Sequence, residues 1–200
     1  MNTPNKITLT RIILIPFMIF FYLASSFIPY SKIIALGILV IASCTDFVDG
    51  MIARKYNLVT DLGKFLDPIA DKLLVASALL LVCCDGTVPA PYGVIAAIII
   101  IGRELIISAF RQIAATKNFV MAADKWGKLK TIFQDISLPA LFLLSFFKTS
   151  GVVSGTALFV FEIVNWVLLG LSVLLTIVSA INYLSKNWNV LKDTKENNEK

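Results

Sequence analysis

The sequence predicts an all-α integral membrane protein with six transmembrane helices and a short N-terminal interfacial segment. Three observations carry this. Of the 200 residues, 58% are hydrophobic, against about 45 to 50% in soluble domains, and the mean hydropathy is +0.83. Apolar segments close to spanning length recur six times, separated by turn chemistry. The positive charges are also distributed unevenly between the ends of those segments.

Taken in order, the opening Met-Asn-Thr-Pro-Asn-Lys-Ile-Thr-Leu-Thr-Arg is a short lead-in. Asn5, Thr8 and Arg11 recur every three residues on one side of a helical start. Spacing alone favours helix capping plus an arginine that snorkels to the interface. The spans are expected near 8–29, 33–56, 68–84, 92–115, 131–147 and 158–185. Their breaks fall at Pro29-Tyr30-Ser31, at Asp85-Gly86 with Pro89 and Pro91, and at Ser150-Gly151 through Gly155. The first apolar stretch lacks an A-x-A-like cleavage site and is expected to be retained. Residues 1–185 read as one transmembrane domain and 186–200 as a polar cytoplasmic tail.

Six spans put both termini on one side, with the loops near 57–67 and 116–130. Of the 18 Lys and Arg residues, only Lys32 and Lys148 fall on the other side. The side holding the termini is therefore expected to be cytoplasmic, in a cell membrane. These cations fit topology and anionic lipid, so no nucleic-acid partner is expected. Histidine is absent, which excludes imidazole bases and histidine-ligated zinc or haem. Cys44, Cys83 and Cys84 form no C-x-x-C pair and read as small buried hydrophobes.

The chemistry concentrates in Asp46-x2-Asp49-Gly50-x2-Ala53-Arg54-x8-Gly63-x3-Asp67-x3-Asp71. A charge at membrane depth costs about 2.5 to 3.5 kcal/mol, so acidic residues there mark function. Asp46 and Asp49 stand three apart and Asp67 and Asp71 four apart, so each pair shares a helix face. Two facing carboxylate pairs repel unless cations sit between them. Oxygen-only ligation points to Mg²⁺ or Mn²⁺. Gly50 and Ala53 leave room beside the acids, and Arg54 can bind a phosphate bidentately. Gly63 reads either as a loop glycine or as a point of close approach to a ligand. Pro68 suits the first turn of the third helix, and Asp61 a loop or cap position. Ion pairing with Arg54, Lys55, Lys64 and Lys72 explains one or two of the aspartates but not four on helical spacing. Charge and spacing lead to a two-metal site for a phosphorylated or diphosphate lipid at the inner face. They do not separate it from the prenyltransferase logic of two Asp-rich helices.

This string resembles the signature of the CDP-alcohol phosphatidyltransferase family, D-x2-D-G-x2-A-R-x7–9-G-x3-D-x3-D, and matches every fixed position. Further stretches resemble the bacterial branch that makes phosphatidylglycerol phosphate. These are Pro4-Asn5 through Arg11, Lys64 to Lys72, Gly102-Arg103-Glu104, and Gly127 to Gln134. The resemblance implies transfer of a phosphatidyl group from CDP-diacylglycerol to sn-glycerol 3-phosphate, releasing CMP. It implies that Asp46, Asp49 and Asp67 ligate two divalent ions, with Asp71 at the second ion or acting as general base. It implies a CDP pocket formed by Asp49, Gly50, Ala53, Arg54 and Gly63, with Asn5, Thr8 and Arg11 as further contacts. It also implies a homodimer.

The acceptor is a small dianion and needs cations near the aspartates. Arg103 lies inside the apolar fourth segment, where an arginine is expensive without a purpose. Arg111, eight residues on, returns to roughly the same face. Lys125, Lys128 and Lys130 crowd the loop expected before the fifth helix. Arg103, Arg111 and Lys130 are the candidates for the acceptor phosphate, whereas Lys117 and Lys125 fit topology. Glu104 faces differently from Arg103 and need not be its partner. Two other readings stand beside this one. The same family can use inositol phosphate, serine or phosphatidylglycerol as acceptor. A small ion or metal transporter would instead need acidic residues toward the outer face, where Ile33–Val40 and Leu79–Cys84 offer none.

Overall fold

A backbone in hydrocarbon must satisfy its own N–H and C=O groups, which leaves helices as the economical solution for apolar runs. Among its described residues, the computed structural model shows six long ones: α1 Thr3–Leu23, α2 Ser31–Lys55, α3 Asp61–Cys84, α4 Tyr92–Thr116, α5 Lys125–Ser150 and α6 Gly155–Asn187. It describes residues 3–55, 61–116 and 125–187, except the side chains at 3–4, 46–55, 61–62, 64–65 and 115–116. Among the described residues, α1, α4, α5 and α6 are long and apolar enough to cross a membrane. α2 contributes a shorter apolar stretch, Ser31–Thr45, before its acidic end.

Four boundaries on three helices differ most from the sequence expectation. α1 begins at Thr3 and stops at Leu23, followed by a 3-10 turn at Ala24–Ser26. α3 begins at Asp61 rather than 68, so Pro68 lies inside the helix and not in its first turn. α5 begins at Lys125 rather than 131, so Lys125, Lys128 and Lys130 are helical, not loop, residues. In α5 the helix runs past its apolar stretch into a segment with one buried polar face, which hydropathy does not register. The predicted tail begins within the last turn of α6 at Lys186 and Asn187; its remainder lies outside the described residues.

Packing follows from small residues. Ala35, Ala42 and Ala78 are fully buried and let α2 and α3 approach Met18 and Tyr22 of α1 and Phe142 of α5. α1 packs on α2 and α3, α5 on α6 and α2, and α4 on α3 and α6. The turns at the end of the bundle away from the aspartates use left-handed backbone. Gly86 (φ +71°) and Gly151 (φ +65°) adopt it without a Cβ clash, and Tyr30 adopts it at φ +61°.

That end is closed by a polar clamp. Lys32 Nζ donates to Asp85 Oδ2 at 2.8 Å, Ser145 Oγ at 2.7 Å and Thr149 Oγ1 at 2.7 Å. Asp85 Oδ2 also accepts from Tyr22 OH at 2.8 Å and lies against Ser145 Oγ, while Oδ1 accepts from the Thr87 amide at 2.9 Å. Three helices and the turn after α3 are thus tied through one carboxylate and one ammonium. Burial pushes the Asp85 carboxyl upward, but hydrogen bonds from Lys32, Ser145 and Thr87 outweigh it and hold the group below its ordinary value. Lys148, the other lysine at this end, pairs with Glu162 at 2.6 Å.

Removing one member of a buried pair leaves the other charge uncompensated. Lys32→Met is expected to lower unfolding stability by about 3 kcal/mol, read as thermal unfolding in detergent, whereas Lys148→Met changes it by less than about 1 kcal/mol. Because the Asp85 pKa is depressed in the fold, its contribution is present above the unfolded aspartate value of about 3.9 and fades as pH falls further. The melting temperature of the wild type is therefore expected to drop more steeply below about pH 4 than that of Asp85→Asn.

Candidate active site

The opposite end of the bundle is where the acidic and basic side chains gather. Asp67 and Asp71 lie one turn apart on α3, Asp67 half-buried and Asp71 exposed. Asp67 Oδ1 accepts a hydrogen bond from Thr8 Oγ1 at 2.6 Å, which fixes that carboxylate from α1. Asn5, Thr8 and Arg11 are each at most 4% exposed. This corrects the capping and snorkelling reading: Asn5 is inside α1 and the Arg11 side chain is buried. Their three-residue spacing faces the bundle interior. Gly63 is buried within the first turns of α3, so it is a helix residue and not a loop glycine. Lys72 Nζ donates to the Pro68 carbonyl at 3.0 Å. Asp46, Asp49, Gly50, Ala53 and Arg54 lie on the closing turns of α2, and their side chains fall outside the described residues. Among the described residues no three acidic, histidine or cysteine groups converge.

Beside Asp71 opens a polar cavity of about 250 Å³ between α3, α4, α5 and the end of α6. It is lined by Asp71, Arg103, Glu104, Arg111, Lys128 and Lys130 among others. The three residues expected to face an acceptor phosphate, Arg103, Arg111 and Lys130, are all in it. Each is held by a different partner. Arg103 Nη2 donates to Ser179 Oγ at 2.7 Å, and Arg111 Nε to Tyr183 OH at 3.2 Å with its guanidinium 5.6 Å from the Tyr183 ring centre. Lys130, buried on α5, makes a close ion pair with Glu104 on α4. Gly127 sits just behind, where a Cβ would lie 3.4 Å from Arg103 Nη2 and 3.5 Å from Ser179 Oγ.

Glu104 departs from the sequence expectation. Adjacent residues on a helix diverge by about 100°, yet the long Arg103 side chain curls back to within 3.4 Å of Glu104 Oε1. Ser179 and Tyr183 were not anticipated at all. A signal existed: Asn165, Ser172, Thr176, Ser179 and Tyr183 recur at helical spacing through apolar α6, and all are buried. Polar residues on one stripe of an apolar helix mark the face that meets polar partners.

Comparison with known proteins identifies the lineage. The family model for CDP-alcohol phosphatidyltransferases matches residues 1–178. The chain belongs to that family. It is 41% identical to a Bacillus subtilis CDP-diacylglycerol–glycerol-3-phosphate 3-phosphatidyltransferase, over 96% of this chain and 97% of the relative. A Rickettsia typhi protein of the same name is 37% identical, over 91% and 94%. A CMP-forming cardiolipin synthase of Oryza sativa subsp. japonica is 36% identical over 96% of this chain and 59% of the relative.

The Tyr183 contacts separate packing from polarity. Tyr183→Phe keeps the ring against Phe110 and Ile107 and is expected to cost about 1 kcal/mol. Tyr183→Ala, which empties that space, is expected to cost about 3 to 5 kcal/mol. Chemical denaturation of the two variants in detergent checks the ordering.

Proposed function

We propose that this protein transfers the phosphatidyl group of CDP-diacylglycerol to sn-glycerol 3-phosphate, forming phosphatidylglycerol phosphate and CMP. The observation that carries this reading is the cavity that Asp71 shares with Arg103, Arg111, Lys128 and Lys130, in a chain that carries the complete family signature. A small phosphorylated alcohol held there by Arg103, Arg111 and Lys130 brings its hydroxyl toward a carboxylate. Relatives whose name carries the same reaction cover almost all of the chain.

The donor set fits hard divalent cations. All four candidates are aspartates, the chain has no histidine, and Asp67 is oriented by Thr8. Asp46, Asp49, Asp67 and Asp71 would hold two such ions, Mg²⁺ or Mn²⁺. When bound, the ions supply Lewis-acid polarisation of the phosphorus and offset the charge of the departing CMP. Gly50, Ala53, Arg54 and Gly63 line the CDP side, with Asn5, Thr8 and Arg11 bracing it from α1. The acceptor hydroxyl oxygen forms a bond to the phosphorus that carries diacylglycerol. The bond from that phosphorus to the CMP phosphate oxygen breaks, and the hydroxyl proton passes to Asp71. No phospho-enzyme is needed, since no activated nucleophile stands among these residues.

The same reading places six spans in a cell membrane, with both termini and the site at the cytoplasmic face, as positive charge distribution favours. Residues 1–185 then form the catalytic domain, 186–200 a cytoplasmic tail, and two copies a homodimer. The cardiolipin synthase relative favours a second reading in which phosphatidylglycerol is the acceptor.

One assay separates them. CMP release from CDP-diacylglycerol is expected with Mg²⁺ and glycerol 3-phosphate and to vanish with chelator; release with phosphatidylglycerol alone would overturn the acceptor assignment. Asp67→Asn is expected to lower turnover by at least about a thousandfold while the protein still inserts and folds. Full activity of that variant in chelator would refute the metal cage.

A further inference from the structure

We propose that Glu104 is a positioning residue for the acceptor: its carboxylate on α4 holds Lys130 of α5 and Arg103 together so that both cations address one phosphate. This rests on the acceptor reading above. Three observations carry it. Glu104 Oε1 contacts both Lys130 Nζ and, at 3.4 Å, Arg103 Nη1, so it is the acid between two cations that would otherwise repel. Those cations are almost wholly enclosed, with side-chain exposures of 1% for Lys130 and 11% for Arg103, so solvent does little to screen them. Finally, both cations line the polar cavity beside Asp71, where one anion can meet both.

The arrangement assigns each donor a direction. Arg103 spends Nη2 on Ser179 and leans Nη1 toward Glu104, which sets the guanidinium at the cavity wall. Lys130 gives one donor to Glu104, and an ammonium has three. Glu104 therefore fixes where the remaining donors point without itself touching the acceptor. Its carboxylate, committed to two cations, is a poor base, so the proton still goes to Asp71.

The test is steady-state CMP release by the full-length enzyme in proteoliposomes with Mg²⁺, varying each substrate in turn. Turnover of the wild type with glycerol 3-phosphate establishes the parent reading; its absence overturns that reading and this one with it. Given turnover, Glu104→Gln is expected to raise KM for glycerol 3-phosphate about tenfold, the size of one charge-assisted hydrogen bond, and to leave KM for CDP-diacylglycerol within about twofold. Glu104→Asp, which keeps the charge but not the reach, is expected to fall between, and carries the test should Glu104→Gln not fold. Combined with Lys130→Met, the Glu104→Gln loss is expected to be far less than the product of the single effects, because the two act as one unit. An unchanged KM for glycerol 3-phosphate, equal loss toward both substrates, or independent effects in the double variant would each overturn the positioning role.

Discussion

A charged group inside an apolar bundle must find its counter-charge within the bundle, and this constraint organises both ends of the molecule. Water is not there to solvate a lone ammonium or carboxylate, so each buried ion is either paired or completed by a ligand. At one end Lys32 and Asp85 meet that demand fully, with three hydroxyl groups and a backbone amide around them. At the other end cations gather beside Asp71 around a cavity. The closed network binds helices together. The open one has room for a charged guest.

The helices serve this division through their order. α1 reaches both ends, with Thr8 on Asp67 and Tyr22 on Asp85. α5 does the same, with Lys130 on Glu104 and Ser145 beside Asp85. α6 contributes no acid or base of its own to the cavity, yet Ser179 and Tyr183 set the two arginines of α4. Neutral side chains on a lipid-facing helix thus direct charged ones elsewhere.

Much of this was legible in the chain. Six helices follow from six apolar runs, and the turn residues at Tyr30, Gly86 and Gly151 lie where expected. Arg103 and Arg111, eight residues apart, converge on one cavity as helical spacing implies. The early starts of α3 and α5 were not legible, because hydropathy counts a buried lysine such as Lys130 as a reason to end a helix. Its partner lies 26 residues away on another helix, and that pairing exists only after packing. Charge and helical spacing singled out the aspartates, but the Thr8 bond to Asp67 spans 59 residues and no local pattern predicts it.

Charge accounting at the cavity also bears on how an anionic acceptor is admitted. Arg103, Arg111, Lys128 and Lys130 are opposed by Asp71, Glu104 and Asp135. Cations alone would hold a phosphate tightly in many orientations, since Coulomb attraction carries no direction. Hydrogen-bonded acids and hydroxyls remove that freedom: Glu104 fixes Lys130, Ser179 fixes Arg103 and Tyr183 fixes Arg111. What remains is a small number of donors with set directions, which under the proposed function would place one hydroxyl of a bound alcohol, rather than another, toward Asp71. Selectivity among phosphorylated acceptors then depends less on how many cations line the cavity than on which of their donors are already committed.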